Sequence, residues 1–158
     1  MDLKKYIRSI PNYPKKGILF RDITTLIKDP EAFKFTNNKI IELARKMEFD
    51  KVSAIESRGF VFASTISYVL NKPFILLRKK NKLPAEVHSV DFELEYGKAT
   101  IEVHKDSIEK NEKAFKECVD QIVERAKKFK VDKIAAIESR GFVFASAVSY
   151  LINKPFIL

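Results

Sequence analysis

The ten residues Ile55–Ser64, IESRGFVFAS, recur letter for letter at Ile137–Ser146, 82 positions further on. The likeness extends beyond them: residues 32–76 align with 114–158 without a gap, and 28 of the 45 positions are the same residue. An internal repeat constrains a fold more than local propensity does, because both copies must bury their apolar faces by related means. Two copies are too few for a solenoid, so the pattern reads as duplication of one supersecondary unit.

Each copy has the same order of signals. Asp29-Pro30 opens a helix in the first, with proline where its missing N–H costs no hydrogen bond. In the second, Ala114, Phe115, Cys118, Val119, Ile122, Val123, Ala126 and Phe129 fall at helical spacing and form one broad apolar stripe. Short β runs follow at Lys51–Ile55 and Lys133–Ile137. They are apolar on both alternations, as a strand buried on two faces would be. The turn Glu-Ser-Arg-Gly then leads into a second helix, Phe60–Leu70 or Phe142–Ile152. Asn-Lys-Pro closes it, since proline cannot continue a helix. A last strand begins at Phe74 and at Phe156. This order predicts a right-handed βαβ crossover in each copy. The fold class is therefore α/β: a Rossmann-like open parallel sheet of about four strands, with helices on both faces.

Between the copies, Val90, Phe92, Leu94 and Tyr96 alternate with Asp91, Glu93 and Glu95, and Ile101 and Val103 alternate with Glu102 and His104. With Gly97-Lys98 as the turn, this predicts a protruding β-hairpin. The basic run Arg78–Lys82 before it, followed by Leu83-Pro84, reads as a mobile loop. The expected organisation is one domain made of an N-terminal segment 1–30, the unit 32–76, the loop and hairpin 77–108, and the unit 114–158. The final Phe156-Ile157-Leu158 matches the middle of an apolar run in the first copy, so a truncated strand is expected there.

Composition narrows the class. A chain of 158 residues, 46% hydrophobic and 32% charged, suits a single globular domain. No apolar run follows the N-terminal charges, so no signal peptide is expected. Gly59–Leu70 is too short to span a bilayer. The single cysteine, Cys118, allows no intrachain disulfide and fits a reducing cytoplasm. His88 and His104 lie outside any metal-ligand spacing, so no protein-held metal is assigned. The net charge of +9 suits a lysine-rich surface or an anionic partner. Nucleic acid is disfavoured as that partner: lysines and arginines are scattered, and Phe60, Phe62, Phe142 and Phe144 sit at core-like helical positions rather than on a stacking platform.

The turn Glu56-Ser57-Arg58-Gly59 is where chemistry would concentrate. A helix N-terminus presents unpaired amides and partial positive charge, and in open α/β sheets ligands sit beyond the carboxyl ends of strands. Arg58 would add a fork for phosphate oxygens, Ser57 a cap or donor, and Gly59 close backbone approach. A purely structural reading stays open beside it, with Ser57 capping, Arg58 paired to Glu56, and Gly59 serving packing.

Four stretches in register add to this: Pro14–Ile23, Glu56–Phe60, Arg78–Pro84 and Leu94–Gly97. Together, from about Tyr6 to Ile108, they closely resemble the adenine phosphoribosyltransferase family of type I phosphoribosyltransferases. The resemblance implies transfer of a 5-phosphoribosyl group from phosphoribosyl pyrophosphate (PRPP) to N9 of adenine. The products are AMP and pyrophosphate, with substrate-bound Mg2+, in a cytoplasmic homodimer serving purine salvage. It implies that Glu56, Ser57, Arg58 and Gly59 hold pyrophosphate, with Arg58 as the main contact. It implies that Arg78, Lys79 and Lys82 close over the site, often from a neighbouring subunit. It implies that Glu95 handles the adenine proton and that Leu19, Phe20 and Arg21 bind the base. For Glu95 a solvated strand carboxylate remains the alternative. For Leu19–Arg21 the alternative is a buried segment beside a structural Arg–Asp pair.

The chain departs from the family after the hairpin. There the family carries an acidic pair for the ribose hydroxyls and an Ala-Thr-Gly-Gly-Thr loop for the 5′-phosphate; neither occurs here, and the second copy follows instead. One expectation is that the strand Lys133–Ile137 takes the vacant place beside the first copy's strand. Ser139, Arg140 and Gly141 would then form a second anion-binding turn. The alternatives are a second copy that merely completes a core, and a non-catalytic nucleotide- or phosphate-binding relative.

Overall fold

Each copy folds as its residues dictate. The computed structural model describes residues 1–94, 97–108 and 114–157. In the first copy, α2 (Pro30–Ala44) follows the short α1 (Thr24–Lys28). Asp29 caps α2 by accepting the Ala32 N–H at 2.8 Å. Strand β3 (Val52–Ile55) leads into α3 (Arg58–Leu70) and β4 (Phe74–Lys79). In the second copy, α4 (Ala114–Lys127), β7 (Ile134–Ala135), α5 (Glu138–Ile152) and β8 (Phe156–Ile157) repeat that order. Asn71 and Asn153 end their helices in the left-handed region, at φ 51° and 53°. In both copies a helix serine then bonds the carbonyl five residues on, Ser67 to Lys72 and Ser149 to Lys154.

The N-terminal segment forms the antiparallel pair β1 (Arg8–Pro11) and β2 (Leu19–Asp22). The hairpin is β5 (Val87–Leu94) with β6 (Gly97–His104), paired from Val87↔His104 to Leu94↔Gly97. One four-stranded sheet runs β3-β4-β6-β5. Its β3–β4 pair is parallel, as the crossover requires, and the hairpin joins the β4 edge antiparallel.

Strand β7 does not take the place beside β3. It pairs in parallel with β8 as a separate two-stranded sheet. The copies meet instead through α3 and α5. Small buried residues mark both helices, and where they meet Ser64 of α3 bonds Ser146 of α5, which lets the two backbones approach. The four parallel strands are thus two pairs back to back through helices. Nor are the short strands covered on both faces: in β3 the half-buried Val52 and Ala54 alternate with exposed Ser53 and Ile55, the last 50% exposed, and in β7 Ile134 is half-buried and Ala135 exposed.

The cores interlock across the repeat. Phe156 of the second copy is buried with Leu26, Ile27, Ala32, Phe33 and Val61 of the first. Tyr68 of the first packs against Val119, Val123, Ala147 and Val148 of the second.

Candidate active site

The Glu56–Gly59 turn lies where β3 hands over to α3, as expected. Its members divide the work differently from either simple reading. Ser57 occupies the N-cap position but makes no side-chain capping bond. Glu56 does not pair with Arg58. Its Oε2 accepts from Arg78 Nε at 2.8 Å, and its Oε1 accepts the Lys79 backbone N–H at 2.9 Å. Burial alone would raise the Glu56 carboxyl. The Lys79 N–H and the Arg78 guanidinium outweigh it and hold the group below the usual carboxylate range. Gly59 meets a packing need: a Cβ there would stand 3.0 Å from the Ala54 Cβ, and Gly141 has the same relation to Ala136.

Arg58 is exposed, and its guanidinium lies over the Phe20 ring, 5.2 Å from the centroid. Phe20 also meets Tyr13 edge-on at 5.2 Å. Among the described residues no ion pair engages Arg58. The stacking brings the base-binding candidates Leu19, Phe20 and Arg21, all on β2, to the phosphate-binding candidates. Arg21 bonds the Ser9 hydroxyl rather than its neighbour Asp22. Asp22 belongs to Arg8, whose Nε donates at 2.9 Å, and it also accepts the Thr24 N–H at 2.9 Å. Chiefly the Thr24 N–H, and then Arg8, lower its carboxyl to about 2.

The basic run is not a loop throughout. Arg78 and Lys79 are the last residues of β4, and the turn begins at Lys80. Arg78 is buried. Besides Glu56 it reaches Ser139 Oγ at 2.7 Å and the Lys82 carbonyl at 3.4 Å. These contacts make it a strut between the two turns. Asn81, at φ 64°, turns the chain, and Glu102 Oε2 receives its N–H at 2.8 Å. Lys79 and Lys82 are exposed.

A cleft of about 250 Å3 is lined by Glu56, Ser57, Arg78, Lys79, Lys82 and Ser139. A second, of about 500 Å3, is lined by Arg78, Asn81, Lys82, Ile137 and Arg140. Both share Arg78 and Lys82, so the basic segment lies between the two Glu-Ser-Arg-Gly turns. Of the second turn, Ser139 is buried against Arg78, Arg140 is exposed to the larger cleft, and Gly141 packs on Ala136. Glu95 lies outside the described residues. Among the described residues no group of three or more His, Cys, Asp or Glu side chains is placed to hold a metal ion. No helix among them is long and apolar enough to cross a membrane.

Sequence reasoning missed the Arg78–Ser139 strut and the Arg58–Phe20 stack. The repeat offered a signal for the first, since two like units made of the same faces invite mutual packing. Nothing local signals the second.

The sequence is 73% identical over 112 residues to the adenine phosphoribosyltransferase of Pelagibacter ubique, a match covering 71% of this chain and 64% of that protein. It is 44% identical over 156 residues to the adenine phosphoribosyltransferase of Petrotoga mobilis, covering 96% and 88%. The crystal structure of adenine phosphoribosyltransferase from Thermoanaerobacter pseudethanolicus aligns with a TM-score of 0.64 at 44% identity, covering 66% of this chain and 61% of that one. Against the first and third of these the chain spans less than two thirds of their length. No family model matches it.

Proposed function

The chain belongs to the adenine phosphoribosyltransferase family, and on that premise we propose that it transfers the 5-phosphoribosyl group of PRPP to N9 of adenine, releasing AMP and pyrophosphate. One observation carries the reading: the Arg58 guanidinium stacks on Phe20 at 5.2 Å, so that a base-binding segment and an anion-binding turn adjoin.

The C1–O bond to pyrophosphate breaks, the C1–N9 bond forms, and the N9 proton leaves to a base, for which Glu95 is the candidate. As the bond breaks, negative charge grows on the leaving diphosphate. Arg58, Lys79 and Lys82 bind that charge more tightly in the transition state than in the ground state, which is what accelerates the step. Ser57 and the first amides of α3 face the same anion. Arg78 holds Glu56 and the root of the basic segment in place. Leu19, Phe20 and Arg21 receive adenine. From the second copy, Ser139 borders the smaller cleft beside Ser57 and Lys79, and Arg140 borders the larger one beside Lys82. Magnesium would enter bound to the donor and would neutralise part of the diphosphate charge. The pairing that the resemblance implies between two subunits enters this reading as a pairing of the two copies within one chain, the basic segment of the first serving the turn of the second, where Arg78 donates to Ser139. A cytoplasmic place in purine salvage completes it.

A second reading, binding of nucleotide or phosphate without turnover, is favoured by one fact. These 158 residues contain four glycines, none adjacent, and no acidic pair after the hairpin, so the loop and acidic pair that the resemblance implies for the ribose phosphate are not among them. Incubation with labelled adenine, PRPP and magnesium separates the two. AMP formation supports transfer; a thermal shift with AMP but no product supports binding alone.

A further inference from the structure

The contacts between the two copies obey a symmetry that a merely convenient packing would not. Residues 82 apart are equivalent by sequence. Ser64 hydrogen-bonds its own equivalent, Ser146, hydroxyl to hydroxyl, and both are fully buried. In an isologous pairing, residues on the twofold axis meet their counterparts, and residues off it meet reciprocally, i with j and j with i. Both signatures are present. Tyr68 donates to Asp120 at 2.5 Å, while its equivalent Tyr150 donates to Asn38, the equivalent of Asp120, at 2.6 Å. Phe74 meets Phe115 at 6.3 Å between ring centroids, while their equivalents Phe156 and Phe33 share the other core.

We propose that the second copy is a built-in partner subunit. Residues 114–157 cover, within one chain, a twofold self-complementary face of the first copy formed by α2 and α3, so this face pairs in cis and is closed to a second chain. Two features make the surface suitable. The helix faces at the axis carry small side chains, which permit close approach. The off-axis hydrogen bonds accept either member of an equivalent pair, asparagine at position 38 or aspartate at 120, because each offers a carbonyl or carboxylate oxygen to the tyrosine. The pairing also supplies a residue to the candidate site, since Arg78 ends on Ser139 of the other unit. The inference rests on contacts between the copies and not on the proposed reaction.

Cross-linking at the axis tests it. In a Cys118→Ser background, which removes the only native thiol, the full chain receives Ser64→Cys and Ser146→Cys and is mildly oxidised. The expected product runs at the mass of one chain, 18.3 kDa, with no thiol left to label. A disulfide-linked dimer, or two free thiols after oxidation, would overturn the proposal. The unmodified chain gives a second measurement that survives a misfolded variant. Its thermal midpoint is expected to be the same across a hundredfold range of protein concentration; a midpoint that rises with concentration would mean that the partner comes from another chain.

Discussion

Arg78 joins the two Glu-Ser-Arg-Gly turns: its guanidinium holds Glu56 of the first and reaches the Ser139 hydroxyl of the second at 2.7 Å. The equivalent serines Ser57 and Ser139 therefore have unequal roles. Ser57 is exposed and caps nothing, whereas Ser139 is buried on a charged donor. Ser139→Ala is expected to cost about 1.5–3 kcal/mol in urea unfolding, the range for a lost bond to a charged group. Ser57→Ala is expected to stay within about 0.5 kcal/mol. Equal effects would contradict the strut.

Removing the other end of the strut has a larger effect. Glu56→Ala leaves the Arg78 guanidinium buried without its counter-ion, which destabilises a fold by about 3–5 kcal/mol. Arg78→Met with Glu56→Leu, which removes both charges, is expected to recover most of that loss. Denaturant midpoints of the single and double variants check this.

The same carboxylates set the acid limit. Asp22 is held at about 2 against an ordinary 3.8, and Glu56 is lowered as well. Both folded-state values lie below the unfolded ones, so the unfolded chain takes up protons first as pH falls. Their contribution is complete above the ordinary carboxylate range and disappears as pH falls through the folded values. Thermal midpoints are expected to be flat above about pH 5 and to drop between about pH 4 and pH 2. Asp22→Asn, which loses the ion pair with Arg8, should lower the plateau and shrink the drop.

Gly59 and Gly141 supply a test of the repeat itself. A Cβ at either meets the alanine five residues earlier at 3.0 Å. Alanine would raise helix propensity by up to about 1 kcal/mol, but the clash is with an alanine Cβ, which cannot rotate away. Overpacking of this kind costs about 1–3 kcal/mol. Gly59→Ala and Gly141→Ala should both destabilise on balance, and Ala54→Gly should rescue the first. Circular-dichroism melts of the three variants decide it.

Much of this architecture was legible in the residues. Asp29-Pro30, the 3.6-residue stripe of α4, the Asn-Lys-Pro stops and the alternation of the hairpin each act locally, so sequence exposes them. The placement of β7 was not legible. A strand of two paired residues carries too little pattern to name its neighbour, and small buried residues on α3 and α5 decided the matter by letting helices meet. Glu56 illustrates the same limit at the site. A carboxylate next to an arginine in sequence suggests that pair, yet β4 runs parallel to β3 and delivers Arg78 to it instead. Arg58, released from that pairing, turns to Phe20, a contact 38 residues distant in the chain that no local pattern encodes.

The most direct test concerns Arg58 as the diphosphate grip of a phosphoribosyl transfer. AMP formation from adenine, PRPP and magnesium should be measured for the intact chain, Arg58→Lys and Arg58→Ala. The account predicts product from the intact chain. It predicts a fall of about 10- to 100-fold in kcat/KM for PRPP on Arg58→Ala, the equivalent of about 1.5–3 kcal/mol of charge-assisted bonding. Arg58→Lys should be intermediate, and unfolding midpoints unchanged. AMP formation that is indifferent to Arg58→Ala, or no AMP from a folded intact chain, would contradict it.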